Sequence, residues 1–245
     1  MIYKNIFLTT ILISTLFFSC KKDKPLPDIS SGLVAFFPLN GIAFDSINNV
    51  YGINHKATLI KNRAEIEGMA MNFYRVDTAF INFGDHSSYS LISNQFTINC
   101  WVCPVDSFYP GSIMSKRNPW GPFEYSLDNH FSHSVFNFDN WPSDGNGTVY
   151  GIDPLNASSH LKFNEWHMIS FIADGSILRV YSDGILEEGI DDRNMSRNFN
   201  DSDAPLMIGV GGGFGVNYYF NGGIDDVRIY NRVLTEEQIK YLLEK

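Results

Sequence analysis

Apolar and polar positions alternate in short runs along most of this chain, and Gly, Pro, Asn and Asp separate the runs. A period of two puts successive side chains on opposite faces of a strand. "GLVAFFPLNG" predicts a strand that ends in an Asn-Gly turn, and "MAMNFYRVDTAFINFGD" predicts two more strands around Val76–Thr78. In "QFTINCWVCPV", Phe96, Ile98, Cys100 and Val102 fall on one side of a strand. "NEWHMISFIADGSILRVYSDGILEEG" predicts a three-strand meander, because Asp174-Gly175 and Asp183-Gly184 each sit between apolar runs and suit hairpin turns. Ile169 and Phe171 share one face of this meander, as do Leu178 and Val180. A helical period appears only at the C-terminus. There Thr235 and Gln238 form a capping box, and Ile239, Leu242 and Leu243 make an apolar stripe suited to packing on a sheet. Many short strands with turn punctuation predict an all-β, two-sheet antiparallel sandwich with one short C-terminal helix.

Composition narrows this. The chain has 245 residues, of which 44% are hydrophobic, 15% aromatic and 18% charged, so it can build a sizeable core. No repeat or linker divides it, which predicts one folded domain. The formal charge of -9 argues against nucleic acid and anionic membrane surfaces as partners, since both need basic patches. Cys100 and Cys103 have C-x-x-C spacing, but residues three apart on a strand point to opposite faces, so both read as structural. "GVGGGFG" lacks the spacing of a phosphate-binding loop and reads as a flexible connection between strands. His167 has no partner at metal-ligand spacing and reads as structural.

The N-terminus carries a different signal. Lys4 precedes a largely apolar run, Ile6–Phe18, shorter than the roughly 20 residues that span a bilayer. Ser19-Cys20 then resembles a bacterial lipobox, and "KKDK" after it resembles the start of Bacteroidetes-type lipoproteins. This predicts a signal peptide at 1–19, lipidation at Cys20, a short tether at 20–31 containing Pro25 and Pro27, and a folded domain at 32–245. The expected location is the outer membrane or cell surface, held only by the lipid; otherwise the chain would be periplasmic or secreted.

From Leu33 to Lys245 the chain resembles laminin-G-like domains of the concanavalin-A-like jelly-roll group. "LVAFFPLNGIAFDSINNVYG" resembles their opening strand, "FINFGDHSSYSLISNQFTINCWVCP" a strand pair carrying a Trp, here Trp101, and "FNGGIDDVRIYNRVLTEEQI" their closing strand and helix. The resemblance implies that first and last strands are neighbours. It also implies a structural calcium bridging the opening turn and the closing strand, held by Asn40, Asp45, Asp225 and Asp226. Hard oxygen ligands suit that ion, and a carboxylate facing the interior beside Ile224 and Val227 needs a partner.

Two classes of site remain. Jelly-roll glucanases align two carboxylates on one strand face, as in Glu-x-Asp-x-Glu, and no such array exists here. "EIE" at Glu65–Glu67 lacks a third acid. The segment 104–160 is rich in Pro, Gly, Asn and aromatics. Trp120, Trp141 and Tyr150 offer flat faces to sugar rings, while Arg117, Asn140 and Asp144 offer hydrogen bonds to hydroxyls; Tyr109, Phe131 and Phe138 lie in the same stretch. The reading is a non-catalytic module that binds a glycan or a partner protein at the cell surface. The alternatives are a glycosidase-like enzyme with carboxylates from separate strands, and a structural adhesion protein.

Overall fold

The computed structural model describes residues 25–91, 93–105, 111–117, 123–130, 133–140, 148–151, 162–187, 201–213 and 216–245. Its first half contains β1 (Leu33–Phe37), β2 (Phe44–Asp45), β3 (Val50–Tyr51), β4 (Ile53–His55), β5 (Thr58–Ile60), β6 (Ala70–Phe73), β7 (Phe80–Gly84), β8 (Gln95–Pro104), β9 (Gly111–Arg117) and β10 (Phe123–His130). Then follow β11 (His133–Asn140), β12 (Thr148–Gly151), β13 (His167–Asp174), β14 (Leu178–Ser182), β15 (Ile185–Leu186), β16 (Leu206–Ile208), β17 (Val210–Gly213), β18 (Val216–Tyr219), β19 (Gly222–Tyr230) and the helix α1 (Glu236–Leu243).

Two sheets result. The first runs β15-β14-β13-β8-β19-β6-β5, with β1 also paired to β19. The second runs β12-β11-β10-β9-β16-β7-β4, with the β17–β18 hairpin beside β9. The opening and closing strands are neighbours, as the resemblance implies: Phe37 lies opposite Val227 and Ala35 opposite Ile229. The predicted meander is β13-β14-β15, with Phe171 opposite Val180.

The alternation read from sequence builds the core. Ile98, Cys100 and Val102 of β8, Ile169 and Phe171 of β13, and Ile224, Val227 and Ile229 of β19 pack against Ile81, Phe83, Met114, Leu127 and Leu206 of the second sheet. Cys100 is fully buried and its thiol is pushed up to about 12 by that burial, whereas Cys103 faces the other way, half-buried.

The first sheet's outer face is also apolar. Trp101, Met168, Ile172 and Tyr230 form a second cluster with Leu234, Ile239 and Leu242. Helix α1 seals this face, its start fixed by the Thr235–Gln238 capping box. Burying Ile239 and Leu242 contributes about 1.5–3 kcal/mol each. The N-terminal approach belongs to the same assembly: Ile29 joins the cluster, and the Asp28 carbonyl accepts from Arg232 Nη2 (3.1 Å) and Gln238 Nε2. Asp28 and Ile29, in the expected tether, thus contact the folded domain. No helix among the described residues is long and apolar enough to cross a membrane.

The outer face of the second sheet is built differently. Ser112, Ser115, Ser126 and Asp128 are buried there. Ser112 Oγ and Ser126 Oγ both donate to the Asp128 carboxylate. The glycine run read as a flexible connection is strand β17, folded back with β18 so that Gly211 lies opposite Tyr218. It rests directly on β9, where Ser115 Oγ donates to the Val210 carbonyl at 2.8 Å. A Cβ on Gly211 would collide with the Ser112 side chain, so glycine at this position permits the hairpin's close approach to β9.

Candidate functional site

The segments 118–122 and 141–147 connect β9 to β10 and β11 to β12, so both leave the second sheet at the same end. Trp120, Trp141 and Asp144 fall in them, outside the described residues, as does Tyr109. Arg117, half-buried, closes β9 opposite Phe123. Asn140 closes β11 opposite Thr148, and Tyr150 of β12 lies opposite Phe138. Residues far apart in sequence therefore belong to strand ends and connections on one side of one sheet.

A lysine holds this end together. Lys116 of β9 is fully buried, and its ammonium donates to Glu124 Oε1 (2.8 Å), Asp85 Oδ1 (3.0 Å), the Ser202 carbonyl (2.7 Å) and the Ala204 carbonyl (2.9 Å). Glu124 Oε1 also accepts from Ser202 N and Oγ, each at 2.7 Å. One cation thus ties the exit of β7, the start of β10 and the approach to β16. Burial raises the Glu124 carboxyl above its usual range, against the pull of Lys116 and Ser202.

At the other end of the same sheet lies an aromatic stack. His55 of β4 stacks on Phe80 of β7 with centroids 4.3 Å apart and planes at 12°, and Phe80 meets Tyr219 of β18 at 6.3 Å. His55 is exposed, and Phe80 and Tyr219 are half-buried. Ile53 and Tyr218 are exposed nearby on β4 and β18. Sequence reading missed this group because its three rings lie on three strands distant in the chain.

The residues expected to hold calcium are arranged as follows. Asp45 is fully buried, and its carboxylate accepts from Phe36 N (3.2 Å), Ile47 N (3.0 Å), Asn48 N (3.4 Å), Asn48 Nδ2 (2.7 Å) and Tyr89 OH (3.0 Å). Asn40 is exposed, and its amide nitrogen is oriented to donate to the Met69 and Pro38 carbonyls. Asp225 and Asp226 lie on the outer side of β19, where Arg63 donates from Nη1 to Asp225 Oδ2 and from Nη2 to Asp226 Oδ2, both at 3.0 Å. The Arg63 guanidinium also lies 4.5 Å from the Trp101 ring centroid. Arg228 donates to the Asp226 carbonyl at 3.0 Å and sits 3.4 Å from its carboxylate. Among the described residues no group of three or more His, Cys, Asp or Glu side chains is disposed to hold a metal. Apart from Asp225 Oδ1, the carboxylate oxygens of this set have protein partners, and the set does not form one vacant shell of the six to eight oxygens calcium takes. Arg63 was not visible from sequence, since it lies in a polar segment far from its partners. His167 is structural: Nδ1 pairs with Asp183 Oδ2 at 2.8 Å, and Nε2 accepts from Lys162 N at 3.1 Å.

Residues 77–240 match the family model described as the concanavalin A-like lectin/glucanases superfamily. Among solved structures, domain 4 of AbnA, a GH43 extracellular arabinanase from Geobacillus stearothermophilus determined with arabinotriose, aligns at TM-score 0.63 and 20% identity, covering 86% of this chain and 98% of that one. The binding domain of Paraclostridial Mosquitocidal Protein 1 aligns at 0.65 and 15%, covering 86% and 52%. The binding domain of Botulinum Neurotoxin DC, determined with SialylT, aligns at 0.59 and 13%, covering 86% and 50%. The chain therefore spans about half of each toxin domain. At these identities the likeness is one of fold.

Two predictions follow from the charged groups. Lys116→Met should cost about 3–5 kcal/mol in chemical denaturation, because it strands a buried carboxylate at Glu124; a loss under about 1 kcal/mol would show that Lys116 is not the tie described. Asp225 supplies a pH dependence. Burial, then the neighbouring Asp226, raise its carboxyl to about 7 against the pull of Arg63 and Arg228, and its Oδ1 has no hydrogen-bond partner. Between about pH 4 and about pH 7 the folded chain then holds a proton there that the unfolded chain has released, so this group's contribution to stability falls as pH rises through that window. Asp225→Asn should flatten that part of the slope in urea midpoints across the window; a slope unchanged by the substitution would remove Asp225 as its source.

Proposed function

The chain belongs to the concanavalin A-like lectin/glucanase superfamily, and on that premise we propose that it is a non-catalytic binding module that takes carbohydrate on its second sheet. The observation that carries this is the asymmetry of the two outer faces. The first sheet is sealed by α1 over an apolar cluster. The second carries the His55–Phe80–Tyr219 group, with His55 exposed and the other two rings half-buried, and the strand ends from which the Trp120 and Trp141 connections leave. Aromatic faces suit the C–H faces of sugar rings. Arg117, Asn140, Asp144 and Tyr150 supply the hydrogen-bonding complement at the loop-bearing end. Arabinotriose and SialylT in the structures of similar fold support a sugar as ligand.

A glycosidase would need two carboxylates flanking one bond, with one poised as acid. Two carboxylates of the second sheet have described partners: Asp128 is held by Ser112 and Ser126, and Glu124 by Lys116 and Ser202. Both serve the fold, which favours binding over hydrolysis. Export and lipidation at Cys20 would place the module at the outer membrane or cell surface.

A glycan array probed with the wild type, Trp120→Ala, Trp141→Ala and Phe80→Ala tests the reading. Binding lost at least tenfold in the tryptophan variants places the sugar at the loop-bearing end, and binding lost in Phe80→Ala places it on the stack. Absence of binding to every glycan by a folded wild type would overturn the proposal in favour of a protein partner, and released product would favour the enzyme. Cys20→Ala should leave the membrane fraction; a variant that still sediments with membranes is not lipid-anchored at Cys20.

A further inference from the structure

We propose that Arg63 is a built-in cation that occupies the place between the opening segments and the closing strand where a calcium ion was expected, so that the Asp225–Asp226 bulge takes no divalent ion. Arg63 sits in a turn built on Asn62. Asn62 Oδ1 accepts from Ala64 N (3.0 Å) and Ile66 N (3.1 Å), and the Asn62 backbone closes the turn through Ile66 O (3.1 Å) and Glu65 N (3.0 Å). The β5–β6 connection is thereby held in shape by hydrogen bonds that do not involve the Arg63 side chain. Its side chain is 18% exposed and its planar fork spans two carboxylates, one donor to each. The indole of Trp101 supports the guanidinium from one face.

Charge and geometry then exclude a divalent ion together. With both carboxyls ionised, Asp225 and Asp226 bring two negative charges, and Arg63 and Arg228 bring two positive ones. The cluster is neutral without any ion, so a calcium ion added to it would create a net double charge in a largely dry site. Asp225 Oδ1 is the carboxylate oxygen left unpartnered, too few for an ion that takes six to eight oxygens. Asp45, on the opening side, already accepts five hydrogen bonds and has no need of a metal. A guanidinium is well suited to this duty, because it stays charged at every working pH and its fork matches carboxylates two at a time.

The test is thermal unfolding of the purified protein at about pH 8, in calcium chloride and in chelator, with metal content measured by elemental analysis. The wild type should melt at the same temperature in both. Arg63→Gln should melt about 5 °C or more below it in chelator, and calcium should restore part of that loss, because the two carboxylates would then lack their cation. A wild-type response to calcium that Asp225→Asn abolishes would overturn the proposal, and a response that survives Asp225→Asn places the ion elsewhere and leaves the bulge as described. Arg63→Gln melting like the wild type, or indifferent to calcium, would also overturn it. Should Arg63→Gln fail to fold, the wild-type comparison with Asp225→Asn decides alone.

Discussion

The closing strand must present Ile224 and Val227 to one core although they are three residues apart, and a regular strand sends such a pair to opposite faces. The chain meets this constraint with a bulge. Asp225 lies opposite Trp101 and Arg228 opposite Asn99, so β19 takes three steps where β8 takes two. Asp226 supplies the extra residue in a left-handed conformation, with φ of 50°. The register on both sides of the bulge then serves the core, since Ile229 beyond it and Ile224 before it both point inward. This strand receives β6 before the bulge, β1 beyond it and β8 on both sides. The cost of the bulge is two carboxylates side by side against an aromatic wall, and the Arg63 and Arg228 guanidinium groups offset that cost.

The second sheet meets a comparable demand at Lys116. There four oxygens from three separate segments converge on one ammonium. In both places a cationic side chain draws together segments distant in the chain. Such buried pairs contribute little net stability, since desolvation offsets most of the attraction, but removing one partner is severe. Their value here is specification of geometry. The β5–β6 turn places Arg63 on both carboxylates at once, and the approach to β16 offers Lys116 two carbonyls.

What could be read from the sequence was what repeats locally. Alternation in "QFTINCWV" and in the meander set which side of each strand is buried, and Thr235 with Gln238 set where the helix starts. The glycine run in "GVGGGFG" misled, because glycine marks both flexibility and close packing, and only the serines beneath β17 decide between them. The ion pairs escaped because their partners are separated by most of the chain: Arg63 and Asp225 meet across 162 residues, with no pattern to announce it. Adjacency of Asp225 and Asp226 did signal that a cation was needed. It carried no information on whether that cation would be a metal or an arginine. The candidate sugar residues were legible only as composition; strand order is what brings Arg117 and Asn140 to one end of one sheet.

The division of labour between the sheets follows from their coverings. A face closed by α1, packed by Ile29 and tied to Asp28 by Arg232 and Gln238 is committed to stability, since opening it would expose Trp101, Met168 and Ile239 together. The opposite face is polar at its centre, where serines and Asp128 satisfy one another beneath a glycine hairpin, so it needs no helix to stay folded. Surface left uncovered at its edges can carry rings such as His55 without endangering the core, because Ile81 and Phe83 on the same strand pair already secure β7 from within. Recognition can therefore change along the rim of the second sheet, through the connections after β9 and β11, while the first sheet and its internal cations keep the scaffold constant.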